Sequence, residues 1–313
     1  MKKYYKLPLF VFFLTISFSQ KKKNASEELK SSDLTGLKFR SVGPAFMSGR
    51  IADIAINPNN ENEWYVAVGS GGVWKTVNSG TTWNPIADDQ PFYSTGCITI
   101  DPHNSSKIWL GTGENVGGRH VGIGHGVFVS DNGGKNWKSM GLKSSEHISK
   151  IIVSPKDPNI VFVASQGPLW SPGGERGLYR TDNGGKTWKN VLSVNEWTGV
   201  TDIAIDHINP NILYAATWQR HRNVASYMGG GPGTSLYKST DHGITWTEIN
   251  NGLPDSNLGK IGLAISPFDS SILYAAVETD RRNGAVYKTT NSGGSWIKMS
   301  DTVSGATLSL IHI

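Results

Sequence analysis

The sequence contains a single cysteine among its 313 residues, and long apolar stretches are equally scarce. One cysteine excludes an intramolecular disulfide, so no cystine framework holds this chain together. Cys97 stands at the start of a strand-like run, where a small buried side chain is a better interpretation than a nucleophile. After residue 18 no segment is apolar enough to cross a membrane, which excludes a later transmembrane helix.

Charge of either sign is also sparse, at 18% of residues. The formal net charge of +5 falls close to zero once the lysines of residues 1–23 are set aside. A folded body this close to neutral carries no nucleic-acid footprint, and no glycine-rich phosphate loop precedes a helix. We therefore expect no nucleic-acid partner and no nucleotide or other cofactor.

The N-terminal residues are typical of a targeting segment. Residues 1–19 join a basic start to the short apolar run LPLFVFFLTISF and end in small residues, which predicts a secretory signal peptide cleaved before Gln20. The alternative is a membrane anchor, for which the run is short. Residues 20–36 predict a disordered lead-in. We expect an exported protein of the bacterial envelope, periplasmic or extracellular, with no membrane span after cleavage.

Glycine and tryptophan, in contrast, are abundant, and they recur in one pattern. An octet that ends in tryptophan occurs five times: TVNSGTTW (76–83), SDNGGKNW (130–137), TDNGGKTW (181–188), STDHGITW (239–246) and TTNSGGSW (289–296). Self-similarity with a period near 50 residues indicates a propeller or a solenoid. Each octet follows three strand-like segments and precedes a fourth, which is the pattern of a four-stranded antiparallel propeller blade. We predict an all-β fold, a β-propeller with five blades in residues 37–302.

The composition of the octet predicts a hairpin between the third and fourth strands of each blade. Asn-Gly and Asp-Gly steps adopt the positive φ angles of tight hairpins, and the Ser, Thr, Asn and Asp side chains can bond to turn amides. The tryptophan supplies an apolar face beside the turn. Calcium binding is the alternative, but calcium loops of the EF-hand type alternate more oxygen ligands and end in glutamate. The structural residues are therefore expected to be Asn78, Trp83, Asn132, Trp137, Asn183, Trp188, Asp241, Trp246, Asn291 and Trp296.

Five blades leave the closure of the ring open. Residues 303–313 begin what reads as the first strand of a further blade. Either the segment LKFRSVG near residue 40 closes a small ring, or the chain is part of a longer protein, and an end in mid-pattern favours the second interpretation. A propeller must close, because an exposed blade edge invites aggregation. We therefore expect the five blades to be an incomplete ring, with two or more blades in the rest of the longer protein.

The loops opposite the octets contain the residues that predict binding. These loops join the second strand to the third, or one blade to the next, and are rich in glycine, arginine and aromatic residues. The expected binding rim comprises Arg50, Tyr93, Glu114, Asn115, Arg119, His120, Trp170, Arg176, Trp197, Trp218, Arg220 and Arg222, with Arg281 and Arg282 nearby. Aromatic faces and arginines favour recognition of a peptide or glycan. Glu114, His120 and His125 could hold a metal, but their glycine-rich loop would not fix the geometry, so no metal site is expected.

The octet resembles the Asp-box, or bacterial neuraminidase repeat, which occurs in sialidases, xyloglucanase-type glycosidases and sortilin-type receptors. The opening FRSVGPAFMSGRIADIAINP, with GGVWKT and GTGEN, more narrowly resembles secreted bacterial proteins with a sortilin-like propeller, often called glycosyl hydrolases. The xyloglucanase resemblance implies a catalytic aspartate just before Gly-Gly in the first blade, and here Gly69 takes its place. The sialidase resemblance implies three arginines, for which Arg40, Arg119 and Arg220 are available.

These observations favour a binding module over an enzyme. No catalytic residue is assigned, although Glu114 and Glu146 are the acids best placed for chemistry. Our interpretation is an exported propeller that binds peptide or glycan at the long-loop rim. One alternative is a glycoside hydrolase, which would need two carboxyl groups flanking the scissile bond. The other is a structural propeller of a larger envelope protein.

Overall fold

The computed structural model describes Lys30, Ser32, Gly36 and residues 50–279 and 284–302. The predicted signal peptide, the predicted further strand at 303–313, Arg40, Arg281 and Arg282 lie outside the described residues. Within the described residues, no helix is both long and apolar enough to span a bilayer. The expected export and the domain bounds therefore stay predictions.

Five four-stranded antiparallel sheets follow one another along the chain. Blade 1 contains β1 (Ile51–Ile56), β2 (Trp64–Val68), β3 (Gly72–Thr76) and β4 (Asn84–Pro85). Blade 2 contains β5 (Thr95–Asp101), β6 (Asn104–Thr112), β7 (Val127–Ser130) and β8 (Lys138–Ser139). Blade 3 contains β9 (Ile148–Val153), β10 (Val161–Ser165), β11 (Gly177–Thr181) and β12 (Lys189–Leu192).

Blade 4 has an additional ribbon. It contains β13 (Thr198–Ile205), β14 (Leu213–Gln219), the ribbon strands β15 (His221–Arg222) and β16 (Tyr227–Met228), and then β17 (Leu236–Ser239) and β18 (Thr247–Glu248). Blade 5 contains β19 (Ile261–Ile265), β20 (Leu273–Glu278), β21 (Gly284–Thr289) and β22 (Ile297–Thr302). Each blade runs in simple up-and-down order, so the predicted β-propeller is confirmed.

The core lies between the blades. Four apolar clusters each join one sheet to the next, from blades 1 and 2 through to blades 4 and 5. β-Branched and aromatic side chains on the facing strands fill them; Trp109 and Phe162, for example, are fully buried. The sides of the outermost blades are different, because Ile54 of β1 and Tyr274 of β20 are 49% and 40% exposed. Blades 1 and 5 therefore present apolar surface that no neighbouring described blade covers.

The five octets form the hairpins between third and fourth strands, and they repeat the same hydrogen bonds. In blade 3, the buried Thr181 hydroxyl accepts the Gly185 amide at 3.0 Å, and the Asn183 side-chain oxygen accepts the Thr187 amide at 3.0 Å. The other four octets make the equivalent pair of bonds. Their oxygens are thus engaged within the turns, as the sequence predicts for a structural device.

Three of the five octet tryptophans bond to the preceding blade, whereas the buried Trp246 indole N–H has no partner among the described residues. The Trp188 indole N–H of blade 3 donates to the Met140 carbonyl just after β8, at 2.7 Å. Trp137 and Trp296 make the equivalent bonds, to Ile86 and Ile249. The tryptophans therefore join neighbouring sheets in addition to packing beside their own turns, which sequence analysis did not predict.

Aspartates in two of the first strands also join blades. The Asp53 carboxylate of β1 accepts the Ile98 amide of β5 at 3.0 Å. Asp202 of β13 accepts the Leu263 amide of β19 at 2.8 Å. Both aspartates follow an irregularity in strand register, at which an extra residue turns their side chains towards the next blade.

Candidate functional site

One long loop spans the end of the propeller opposite the octets. We call residues 113–126, between β6 of blade 2 and β7, the strap. Its main-chain carbonyls accept hydrogen bonds from cations of other blades: Asn115 from Lys260 Nζ at 2.7 Å, Val116 from Arg220 at 3.0 Å, and Gly117 from Arg222 at 2.8 Å. The strap therefore extends from blade 2 to blades 4 and 5.

A glycine allows the closest of these contacts. A β-carbon on Gly117 would lie 2.0 Å from the Tyr227 hydroxyl, so any larger residue would displace the ribbon. Arg222 in turn stacks over the Tyr227 ring, with its guanidinium carbon 4.3 Å from the ring centroid. The ribbon β15–β16 and the strap thus form one packed unit.

Of the three cations that bond to the strap, Arg220 is fully buried, and Arg222 and Lys260 are half-buried. Arg220 has no exposed surface, and its Nε lacks an acceptor among the described residues. Burial, followed by the nearby Arg220 charge, lowers the pKa of the Lys260 ammonium to about 8. These groups hold carbonyl oxygens and not carboxylates, because within the described residues neither makes a salt bridge.

This burial corrects one expectation about the rim. The sequence predicts Arg176, Trp218 and Arg220 on the ligand-binding rim, but each is at most 4% exposed. Arg176 bonds to the Gln166 and Ser171 carbonyls, both at 2.7 Å, and so fixes its own loop. Without displacement of the strap, these side chains support the rim and do not face a ligand.

Removal of the Arg220 guanidinium is expected to loosen the strap. In Arg220→Met the bonds to the Val116 and Gly167 carbonyls are lost, so hydrogen–deuterium exchange in residues 113–126 should accelerate at least about tenfold. Arg119→Met is the matched control, because Arg119 is exposed on the same strap. Equal exchange in wild type and Arg220→Met would show that Arg220 does not hold this loop.

Glu114, in the strap, stands at the position that Gly69 leaves open. A β-carbon on Gly69 would lie 2.5 Å from Glu114 Oε1, so the carboxylate fills the space beside this backbone. Glu114 is 3% exposed; Oε1 accepts Arg50 at 2.6 Å and Oε2 accepts the Gly122 amide at 3.0 Å. A carboxylate is therefore present where the xyloglucanase resemblance implies an aspartate, but Arg50 pairs with it.

The second candidate acid, Glu146, lies beside buried basic groups. Its carboxylate is 4.0 Å from His147 Nε2, and its charge, with that of Glu196, acts on Arg176. Burial, and then the Arg220 charge, lowers the pKa of His147 to about 3, so this imidazole is neutral at pH 7. A neutral buried histidine between two arginines relieves repulsion at the base of the rim.

Other rim residues remain accessible. Tyr93 and Trp170 are 62% and 44% exposed, and Trp197 packs against His221 with ring centroids 4.1 Å apart and an interplanar angle of 49°. A groove of about 490 Å³ runs beside Tyr93 and is also lined by Asp88, Gln90 and His125. Aromatic faces beside polar side chains suit the apolar and hydroxylated faces of sugar rings.

The strap also lines one end of a cavity on the propeller axis. This axial cavity holds about 440 Å³ and is bounded by first strands, by Asn115 and Val116 of the strap, and by the uncovered sides of blades 1 and 5. Its charged lining residues are Arg50, Asp53, Glu114, Lys150, Asp202 and Lys260.

Sequence analysis found the strap but missed most of the axial residues. Asp53, Lys150, Asp202 and Lys260 were not predicted, although a charge interrupts an apolar strand at Asp53 and Asp202, in two copies of the segment DIAI. His120 contacts Arg50 at 3.1 Å and does not join His125 at a metal site. Within residues 50–279 and 284–302, no group of three or more His, Cys, Asp or Glu side chains is placed to hold a metal ion.

Xyloglucanases are similar to this chain in both sequence and fold. The chain is 27% identical over 258 residues to a xyloglucanase of Hypocrea jecorina, a match that covers 71% of this chain and 28% of that protein. The GH74 enzyme of Niastella koreensis superposes with a TM-score of 0.60 at 18% identity, covering 79% of this chain and 38% of that one. The fold is a xyloglucanase-like β-propeller. No protein-family model matches the chain.

The xyloglucanase-like propeller spans less than a third of the curated xyloglucanase it matches. It is also 29% identical over 199 residues to the photosystem II stability/assembly factor HCF136 of Arabidopsis thaliana, covering 62% of this chain and 40% of that protein. The comparisons support the glycoside hydrolase alternative better than the binding-module interpretation. The preference against an enzyme finds no support in them.

Proposed function

We propose that this chain is the glucan-binding propeller of a xyloglucanase-type glycoside hydrolase, and that it holds a β-glucan chain across the strap rim. The observation that carries the proposal is the match to xyloglucanases along most of the chain, combined with exposed Tyr93 and Trp170 on this rim. A neutral polysaccharide can stack on exposed aromatic rings, whereas the buried arginines offer it no contact.

The carboxylate at Glu114 supports the same proposal but limits its chemistry. Both of its oxygens are engaged, so it is poorly placed to donate a proton to a leaving group unless Arg50 moves. Hydrolysis also requires a second carboxyl group across the scissile bond. We therefore assign Glu114 to the position of the missing aspartate at Gly69, with Arg50 as its partner, and assign recognition to the aromatic rim.

Binding of xyloglucan tests the proposal. Trp170→Ala and Tyr93→Ala are each expected to weaken binding about tenfold, equivalent to about 1.4 kcal/mol, measured by affinity electrophoresis and calorimetry. Phe268→Ala is the control, because Phe268 is 93% exposed on the loop between first and second strands, at the octet rim. Release of reducing ends from xyloglucan by wild type and Glu114→Gln reports any catalysis in parallel. A chain that neither binds nor cleaves xyloglucan would rule the proposal out.

Peptide recognition at the same rim is the second candidate. It is supported by the similarity to the HCF136 stability/assembly factor and by the exposed Arg119 and Trp170 on the rim. Binding of peptides but not xyloglucan would favour it. Three expectations stay predictions: export from the cell, a relation to sortilin-like propellers, and a place in a larger envelope protein. The groove beside Tyr93 favours a binding role over a purely structural one.

A further inference from the structure

The axial cavity has a charged wall in which opposite charges alternate without touching. Asp53, Lys150 and Asp202 project from the first strands of blades 1, 3 and 4, and Lys260 stands just before the first strand of blade 5. The charges of both aspartates act on Lys150, and the charges of Lys150 and Lys260 act on Asp202. Within the described residues, however, none of these charged groups forms a salt bridge with another.

The hydrogen-bonding capacity of this wall is only partly used. Each aspartate accepts two backbone amides and keeps lone pairs free, since a carboxylate offers about four acceptor positions. Lys260 directs one N–H to Asn115. The Lys150 ammonium makes no hydrogen bond to any described residue, which leaves three donors facing the cavity.

The opposite wall is apolar. Tyr274, Ala276 and Val286 of blade 5 line it, together with Ile51 of blade 1. Tyr274 is 40% exposed and Ile51 is 53% exposed, and Lys288 Nζ lies 5.7 Å from the centroid of the Tyr274 ring. The cavity therefore pairs a wall of alternating charge with a wall of apolar carbon.

We propose that the axial cavity binds a neutral pyranose sugar, separate from the glucan chain on the rim. Each sugar hydroxyl can donate to a carboxylate and accept from an ammonium, so vicinal hydroxyls bridge charges that are too far apart to pair directly. The C–H face of the ring packs on Tyr274. A charged ligand would fit less well, because the four axial groups balance two negative charges with two positive ones. The cavity volume, 440 Å³, lies within the range of about 300–1,000 Å³ that small-molecule sites occupy.

This inference takes its ligand class from the proposed function but uses none of the rim residues. D-glucose and D-xylose are the probes, with D-glucuronate as the charged comparison, titrated into the full chain and followed by calorimetry and saturation-transfer NMR. Wild type is expected to bind at least one neutral sugar in the millimolar range. Lys150→Met and Tyr274→Ala should each weaken that binding at least about tenfold, because they remove the central donor and the stacking face.

Controls separate this site from the rim and from folding defects. Lys135→Met makes the same substitution at an exposed lysine in an octet, and should leave sugar binding unchanged. Tyr274→Ala alters an exposed side chain, so its fold should persist even if Lys150→Met is destabilised. Xyloglucan binding should be unchanged in Lys150→Met and weakened about tenfold in Trp170→Ala. The proposal is overturned if neither neutral sugar binds, if either axial variant binds like wild type, or if glucuronate binds tenfold more tightly than both neutral sugars.

Discussion

Acidification from pH 6.5 to pH 4 should destabilise the protein, and one buried side chain, His147, should account for a measurable part of the loss. This imidazole is 1% exposed, and burial together with Arg220 and Arg176 lowers its pKa from about 6.5 to about 3. The unfolded chain binds a proton in this interval and the folded chain does not. His147 therefore stabilises the fold fully above pH 6.5, and this contribution is lost as the pH falls, at about 1.4 kcal/mol per pH unit.

Urea unfolding at pH 7, 5 and 4 measures this effect. In His147→Phe the proton-linked contribution is absent, so the free energy of unfolding should fall less steeply with acidification than in wild type. Carboxylates that titrate in the same range cancel in the comparison of the two proteins. His207→Gln is the control, because His207 is exposed and its loss should leave the wild-type slope. Parallel pH profiles for wild type and His147→Phe would show that the imidazole is charged or reaches solvent.

Asp202→Ala is expected to cost about 2–3 kcal/mol of unfolding free energy, because it leaves buried amides without an acceptor. The Leu263 amide of blade 5 loses its bond across the blade boundary, and the Ile203 amide loses the bond within β13. Burial raises the pKa of Asp202, so part of the gain from these bonds is offset by desolvation. The expected loss of unfolding free energy still makes Asp202 one of the cavity-lining residues most sensitive to substitution.

A graded series identifies the cause. Asn at position 202 retains one side-chain oxygen, so Asp202→Asn should cost about half as much as Asp202→Ala, as measured by urea unfolding. Asp255→Ala is the matched control at an exposed aspartate and should be within about 0.5 kcal/mol of wild type. If Asp202→Ala unfolds at the same urea concentration as Asp255→Ala, the link between blades 4 and 5 contributes nothing measurable.

The blade architecture could be predicted because its signals are local. A hydroxyl residue, an Asn or Asp two positions later, a glycine and a tryptophan lie within eight residues, and their bonds close within the same turn, as Thr181 and Asn183 show. The strand-like segments before and after each turn, with alternating apolar and polar residues, then predict a four-stranded antiparallel blade. The order of the strands alone also predicts that these turns lie at one end of the propeller and the long loops at the opposite end.

The interior of the site could not be predicted, because its partners are distant in sequence. Lys260 contacts Asn115 across 145 positions and Arg220 contacts Val116 across 104, and neither sequence neighbourhood marks such a pair. Arginine and tryptophan in a glycine-rich loop were interpreted as exposed binding groups, but Arg220 and Trp218 are buried under the strap that they support. The residue types indicated that Arg220 and Trp218 matter to the rim, but only their burial shows that they support the strap and do not bind a ligand directly.

The backward bond that three octet tryptophans make has a consequence for the history of this protein. Trp137, Trp188 and Trp296 each attach their own sheet to the one before it, so three of the four junctions between the described blades share the same bond between neighbouring units. A gene segment that encodes one blade can therefore be duplicated or deleted while the remaining junctions keep their form. All five turns accordingly keep the same pair of hydrogen bonds, whereas the loops at the far end differ in length and chemistry.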